Sequence, residues 1–163
     1  MKILKFRVKH LKKSSNTPLA VYHGVPSGWD KEDIVQTYHE LNGARRFNPP
    51  EATEPGAPSW MVDRYNWLQY RSALREIAKG LKAKDPVCVE LAIRYIELDY
   101  FGSYSGFLRE RFARLLKNSK LTFQQARRLK RHIQFLRDNN QMLGEFREYA
   151  KLIKRIQEVW PNA

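Results

Sequence analysis

From Asp30 to Asn140 the chain repeats one signature, and that repeat narrows its architecture to packed helices. The signature is a residue able to cap a helix, an apolar stripe of 3.6-residue period, then a breaker. Asp30, with Asp33 three residues on, opens the stripe Ile34, Val35, Tyr38 and Leu41, which Asn42-Gly43 stops. Ser59 is placed to cap a long helix to about Lys82. In it Trp60, Trp67, Leu74 and Leu81 recur every seven residues, and Met61, Leu68, Ile77 and Ala78 widen the stripe. Asp85-Pro86 pairs an N-cap with a first-turn proline. The segment VCVELAIRYIEL that follows is apolar almost all round, which predicts the most buried helix. A fourth helix is expected from about Gly106 to Asn118, with Leu108, Phe112, Leu115 and Leu116 inward. Thr122 and Gln125 form a capping box for a fifth, with Ala126, Leu129, Ile133 and Leu136 on its core face. The last helix, about 142–159, is expected to bury Phe146, Tyr149, Ala150, Ile153 and Ile156.

The N-terminal region reads differently. In residues 2–11 Leu4, Phe6 and Val8 alternate with Lys5, Arg7 and Lys9, a period of two that suits a half-buried strand. With a turn-like stretch at 12–17 and a second apolar run at 19–23, it predicts a β-hairpin lying on the helices. Residues 43–58 hold four of the eight prolines and read as a long loop, where a partner could be gripped but a plain solvated loop is commoner. The expected architecture is therefore one mainly α domain spanning 1–163. It has about six helices in antiparallel hairpins, a hairpin appendage at 1–24 and a helical core at 59–163. No fixed-period self-similarity supports a solenoid.

Charge is the strongest functional signal. Thirty Lys and Arg oppose seventeen Asp and Glu, a net +13, while 42% apolar residues exclude a disordered chain. Such an imbalance favours polyanions. It is unevenly placed: residues 1–13 carry six cations and no acid, and residues 109–132 carry nine cations and one acid. Lys5, Arg7 and Lys9 line one face of the expected strand. Arg109, Arg111, Arg114 and Lys117 on one helix, with Arg127, Arg128, Lys130, Arg131 and Arg137 on the next, form an expected outward basic face. Acids four residues away are nearly absent, so these charges read as unneutralised. Arginine's fork also suits phosphate. A merely solvated basic face is the competing reading.

Gly102, Ser103, Ser105 and Gly106 before FLRER form a candidate anion loop at a helix start. Ser105 as an ordinary N-cap explains the same residues, and no GK[ST] follows. His10, His23, His39 and His132 lack metal-ligand spacing, and Cys88 is the only cysteine, so no metal or cofactor is assigned. Cys88 fits a buried structural thiol. Trp60 and Trp67 fit a core, whereas Tyr65 and Tyr70, beside Arg64 and Arg71, are expected to be exposed and able to stack on bases. No apolar run is long enough to span a membrane, and no signal peptide is evident, so the cytoplasm is the default. Three functions follow in order. First is non-catalytic nucleic-acid binding through phosphates. Second is a protein-interaction module (inhibitor, immunity protein or regulatory adaptor) for an acidic partner. Third is a small metal-independent ribonuclease using His10, His23 and Tyr22. No catalytic residue is assigned.

Overall fold

The computed structural model describes residues 24–52, 63–102, 104–141 and 144–163. The expected hairpin, including Lys5, Arg7, Lys9, His10 and His23, lies outside them, as do Ser59, Trp60 and Ser103. The described residues contain six helices and no strand: α1 (Lys31–Glu40), α2 (Arg64–Lys82), α3 (Pro86–Leu98), α4 (Ser105–Leu116), α5 (Phe123–Asp138) and α6 (Phe146–Val159).

The caps form where sequence chemistry puts them. Asp30 and Asp33 exchange hydrogen bonds with each other's backbone N–H at the start of α1, and Thr122 and Gln125 do the same for α5. Asp85 accepts from Val87 N–H at 2.9 Å ahead of Pro86. It also takes the Tyr38 hydroxyl at 2.6 Å, so one carboxylate caps α3 and anchors α1. Asn42 and Asn140 end α1 and α5 with left-handed φ of 58° and 53°.

The packing has a defined order. α2 lies against α3 and α4, and α1 covers α2 and α3. The last four helices close a ring: α3 packs on α4, α4 on α6, α6 on α5, and α5 back on α3. α4 and α5 are consecutive in sequence yet do not pack on each other. Every other consecutive pair of described helices packs together, so the expected pairing of neighbours fails only here, and the two most basic helices stand on opposite sides of the ring.

α3 is the most buried helix, with Cys88, Ala92, Ile93 and Ile96 fully enclosed. Its close approach to α2 depends on Gly80, since a Cβ there would fall 2.1 Å from Cys88 Sγ. Burial, then the nearby Asp85 carboxylate, push the Cys88 thiol up to about 12, which fits a structural role. Tyr70 is also buried, its hydroxyl 2.9 Å from that of Tyr95, so its expected exposure is corrected; Tyr65 is exposed.

α6 corrects a second expectation. Its inner stripe is Glu145, Glu148, Tyr149, Leu152 and Ile156, not the purely apolar set around Phe146, Ala150 and Ile153. Ala150 is exposed, and Phe146 and Ile153 are half-buried. Glu145, just before the helix, turns in to the buried Arg109, and Glu148 turns in beneath the partly exposed Lys117 and Lys151.

Candidate nucleic-acid interface

The basic stretch 109–132 separates into side chains held by this protein's own acids and side chains that are not. Arg109 is the extreme case. It was expected to project outward, but it is 1% exposed. Its Nη2 lies 2.7 Å from Glu145 Oε1 and its Nε 3.0 Å from the same oxygen, while Nη1 donates to the Tyr100 carbonyl. Asp99 adds a carboxylate 3.7 Å away. Burial alone would lower the Arg109 pKa, but the Glu145 and Asp99 carboxylates outweigh it and raise it. Arg109 is thus a fixed internal cation and leaves the candidate binding face.

Arg128 is the second correction. It forks across two acids of α3, with Nη1 2.8 Å from Glu90 and Nη2 2.5 Å from Glu97. Burial would raise the Glu90 pKa, but hydrogen bonds from Arg128, Arg94 and Gln125 bring it below the usual carboxylate value. Lys117 sits 3.3 Å from Glu148, which is itself held low by Lys151, against the raising effect of burial, and by Lys117. Arg114 pairs with Glu110 at 2.7 Å. Lys130 donates to the Ala163 carbonyl, and Arg137 to Gln134 of its own helix. The expectation of unneutralised charge therefore fails at Arg109, Arg114, Lys117 and Arg128. Glu110 alone obeys the four-residue rule; the other acids come from α3 and α6.

The candidate anion loop is closed in the same way. The Ser105 hydroxyl donates to the Gly102 carbonyl at 2.7 Å and accepts from Gly102 N–H at 3.0 Å. Tyr104, with φ of 61°, precedes the helix, and Ser105 is its first residue rather than its cap. The Glu145 carboxylate lies across this helix start, its Oε2 3.4 Å from where a Gly106 Cβ would stand. A helix N-terminus with an arginine one turn in does attract an anion. Here that arginine, Arg109, is already taken by the protein's own Glu145.

On α5, Lys130 and Arg137 bond to groups other than Asp or Glu side chains, which leaves two cations with no partner among the described residues. Arg127 and Arg131 are exposed, one helical turn apart, and no acid among the described residues pairs with either. Phe135 follows one turn further along the same ridge and is 57% exposed. Arg128 on one flank is tied to α3 and Lys130 on the other to Ala163, so the central pair is what α5 presents outward. Asp138 closes the ridge, accepting from Gln134. On α4, Arg111 lines a small recess with Phe107, Glu110 and Arg114, away from this ridge.

Sequence reasoning missed Glu145, Glu148, Glu90 and Glu97 as the residues that sort the cations, and it missed Phe135. The outward position of Phe135 was readable from the helix period, since it falls off the Ala126/Leu129/Ile133/Leu136 stripe. Among the described residues no cluster of His, Cys, Asp and Glu could hold a metal, and no helix is long and apolar enough to cross a membrane. No protein-family model, curated protein or solved structure matches the chain.

Proposed function

We propose that this chain binds nucleic acid through the outward ridge of α5, chiefly by contacts to the phosphate backbone. The observation that carries the reading is the stripe Arg127, Arg131 and Phe135, one turn apart, with neither guanidinium paired to an acid among the described residues. Unpaired arginines can fork onto phosphate oxygens without first breaking an internal ion pair. Each phosphate they neutralise releases counterions, so binding depends steeply on salt. The exposed ring of Phe135 offers a stacking surface beside the phosphates. The net charge of +13 supplies a long-range attraction to any polyanion and steers it to the protein.

The test is binding of a labelled 20-nucleotide strand and its duplex, followed by fluorescence anisotropy over a range of salt concentrations. The wild type is expected to lose affinity linearly on a log–log plot. Arg127→Ala with Arg131→Ala should weaken binding at every salt concentration and reduce the slope by roughly one per contact removed. Absence of binding at low salt, or an unchanged slope in the double variant, would overturn the reading.

A further inference from the structure

A second site lies at the end of the helical ring, away from the centre of the α5 ridge. The α4–α5 turn and the C-terminal half of α6 line an open cleft of about 650 Å³, within the range of small-molecule sites. Leu121, Trp160 and Val159, the last 49% exposed, give it apolar surface, over the enclosed Leu152 and Ile156. Trp160 is fixed in place: its indole N–H donates to the Leu121 carbonyl at 3.3 Å and its ring meets Phe123 edge-on. The backbone beside the cleft is largely satisfied. Ser119 Oγ and Asn118 N–H both donate to the Leu115 carbonyl, and Ser119 N–H donates to that of Leu116.

The charged lining residues all have one sign: Lys117, Lys120 and Arg155, with no acid among them. Lys117 is committed to Glu148. Lys120 pairs with no acid among the described residues, and Arg155 makes only an exposed pair with Glu158 at 3.3 Å, the kind that contributes little and exchanges readily. A cleft that joins an apolar patch to two available cations selects a molecule that is apolar at one end and anionic at the other. We infer that this cleft binds a single-chain amphiphilic carboxylate as the free monomer. The chain packs on Leu121, Val159 and Trp160, and the head group meets Lys120 and Arg155.

Sodium decanoate, kept below its micelle concentration, is the probe, and amide and indole N–H chemical shifts are the readout. Decanoate should give saturable shifts centred on Trp160, Lys120 and Val159. It should bind at least tenfold more tightly than decyltrimethylammonium, which has the same chain and the opposite charge. Lys120→Glu with Arg155→Glu should weaken decanoate about tenfold. Val159→Asp should abolish its binding while leaving helix content unchanged, because that side chain is half exposed. Arg127→Ala with Arg131→Ala should leave decanoate binding intact, which separates this site from the α5 ridge. Vesicles containing phosphatidylglycerol distinguish a membrane source: the cleft variants should not alter co-sedimentation. Equal affinity for both amphiphiles, shifts centred elsewhere, no saturable binding, or vesicle binding lost in the cleft variants would overturn the inference.

Discussion

Arg127 and Arg128 are neighbours in sequence and in helix, yet they do opposite things. Arg128 turns toward α3 and closes a bridge across Glu90 and Glu97, while Arg127 faces outward with no acid beside it among the described residues. The contrast extends to α4, where Arg109 is sealed against Glu145, and to Arg131, which continues the free ridge. A count of basic residues treats all four alike. What separates them is which acids the neighbouring helices present, so a basic segment in a helical bundle becomes a binding surface only after its internal pairs are removed.

The largest expected effect comes from breaking the buried member. Arg109→Ala strands Glu145 without a cation and should destabilise the fold by about 3–5 kcal/mol, measured by urea unfolding. Replacing the pair together, with Arg109→Leu and Glu145→Leu, should recover most of that loss, because no unpaired charge then remains. If Arg109→Ala left stability unchanged, the division between internal and external cations would fail at its clearest point.

Arg128→Ala removes a bridge that is partly open to water, so its cost should be nearer 1 kcal/mol. The acid limb of stability sharpens this. Glu90 and Glu148 both have lowered pKa values in the folded protein. A depressed carboxylate stabilises the fold above its unfolded value, about 4.3, and that contribution is lost as pH falls through the folded value. Thermal midpoints should therefore drop as pH falls below the ordinary glutamate range. In Arg128→Ala that drop should be shallower, because Glu90 has lost one of its partners. The smallest effect on folding should come from Arg127→Ala and Arg131→Ala, each within about 0.5 kcal/mol of wild type in the same unfolding experiment.

Much of the fold was legible from local rules. The caps at Asp30, Asp85 and Thr122, the stops at Asn42 and Asn140, and the encirclement of α3 by apolar residues all follow from chemistry within a few residues. The ring order was not legible, because helix lengths and short connections do not say that α4 should skip α5 and pack on α6. The inner face of α6 was hidden for a related reason. Hydrophobic periodicity assigns Glu145 and Glu148 to the surface, and cations on α4, joined for Glu148 by Lys151 of α6 itself, make their burial tolerable. At Gly102–Gly106 the Ser105 hydroxyl bonds back to Gly102, and the nearby Arg109 is held by Glu145. That acid comes from thirty-odd residues away in the same chain, where spacing rules cannot find it.

The most direct test of the division compares the two neighbours in parallel. Arg127→Ala and Arg128→Ala should each be measured for unfolding free energy and for affinity to the labelled 20-nucleotide strand at one low salt concentration. A crossed pattern is expected: Arg127→Ala loses affinity and keeps stability, whereas Arg128→Ala loses stability and keeps affinity. If both variants lost affinity equally with stability unchanged, α5 would act as an undivided basic helix, and the sorting of its arginines by Glu90 and Glu97 would be wrong.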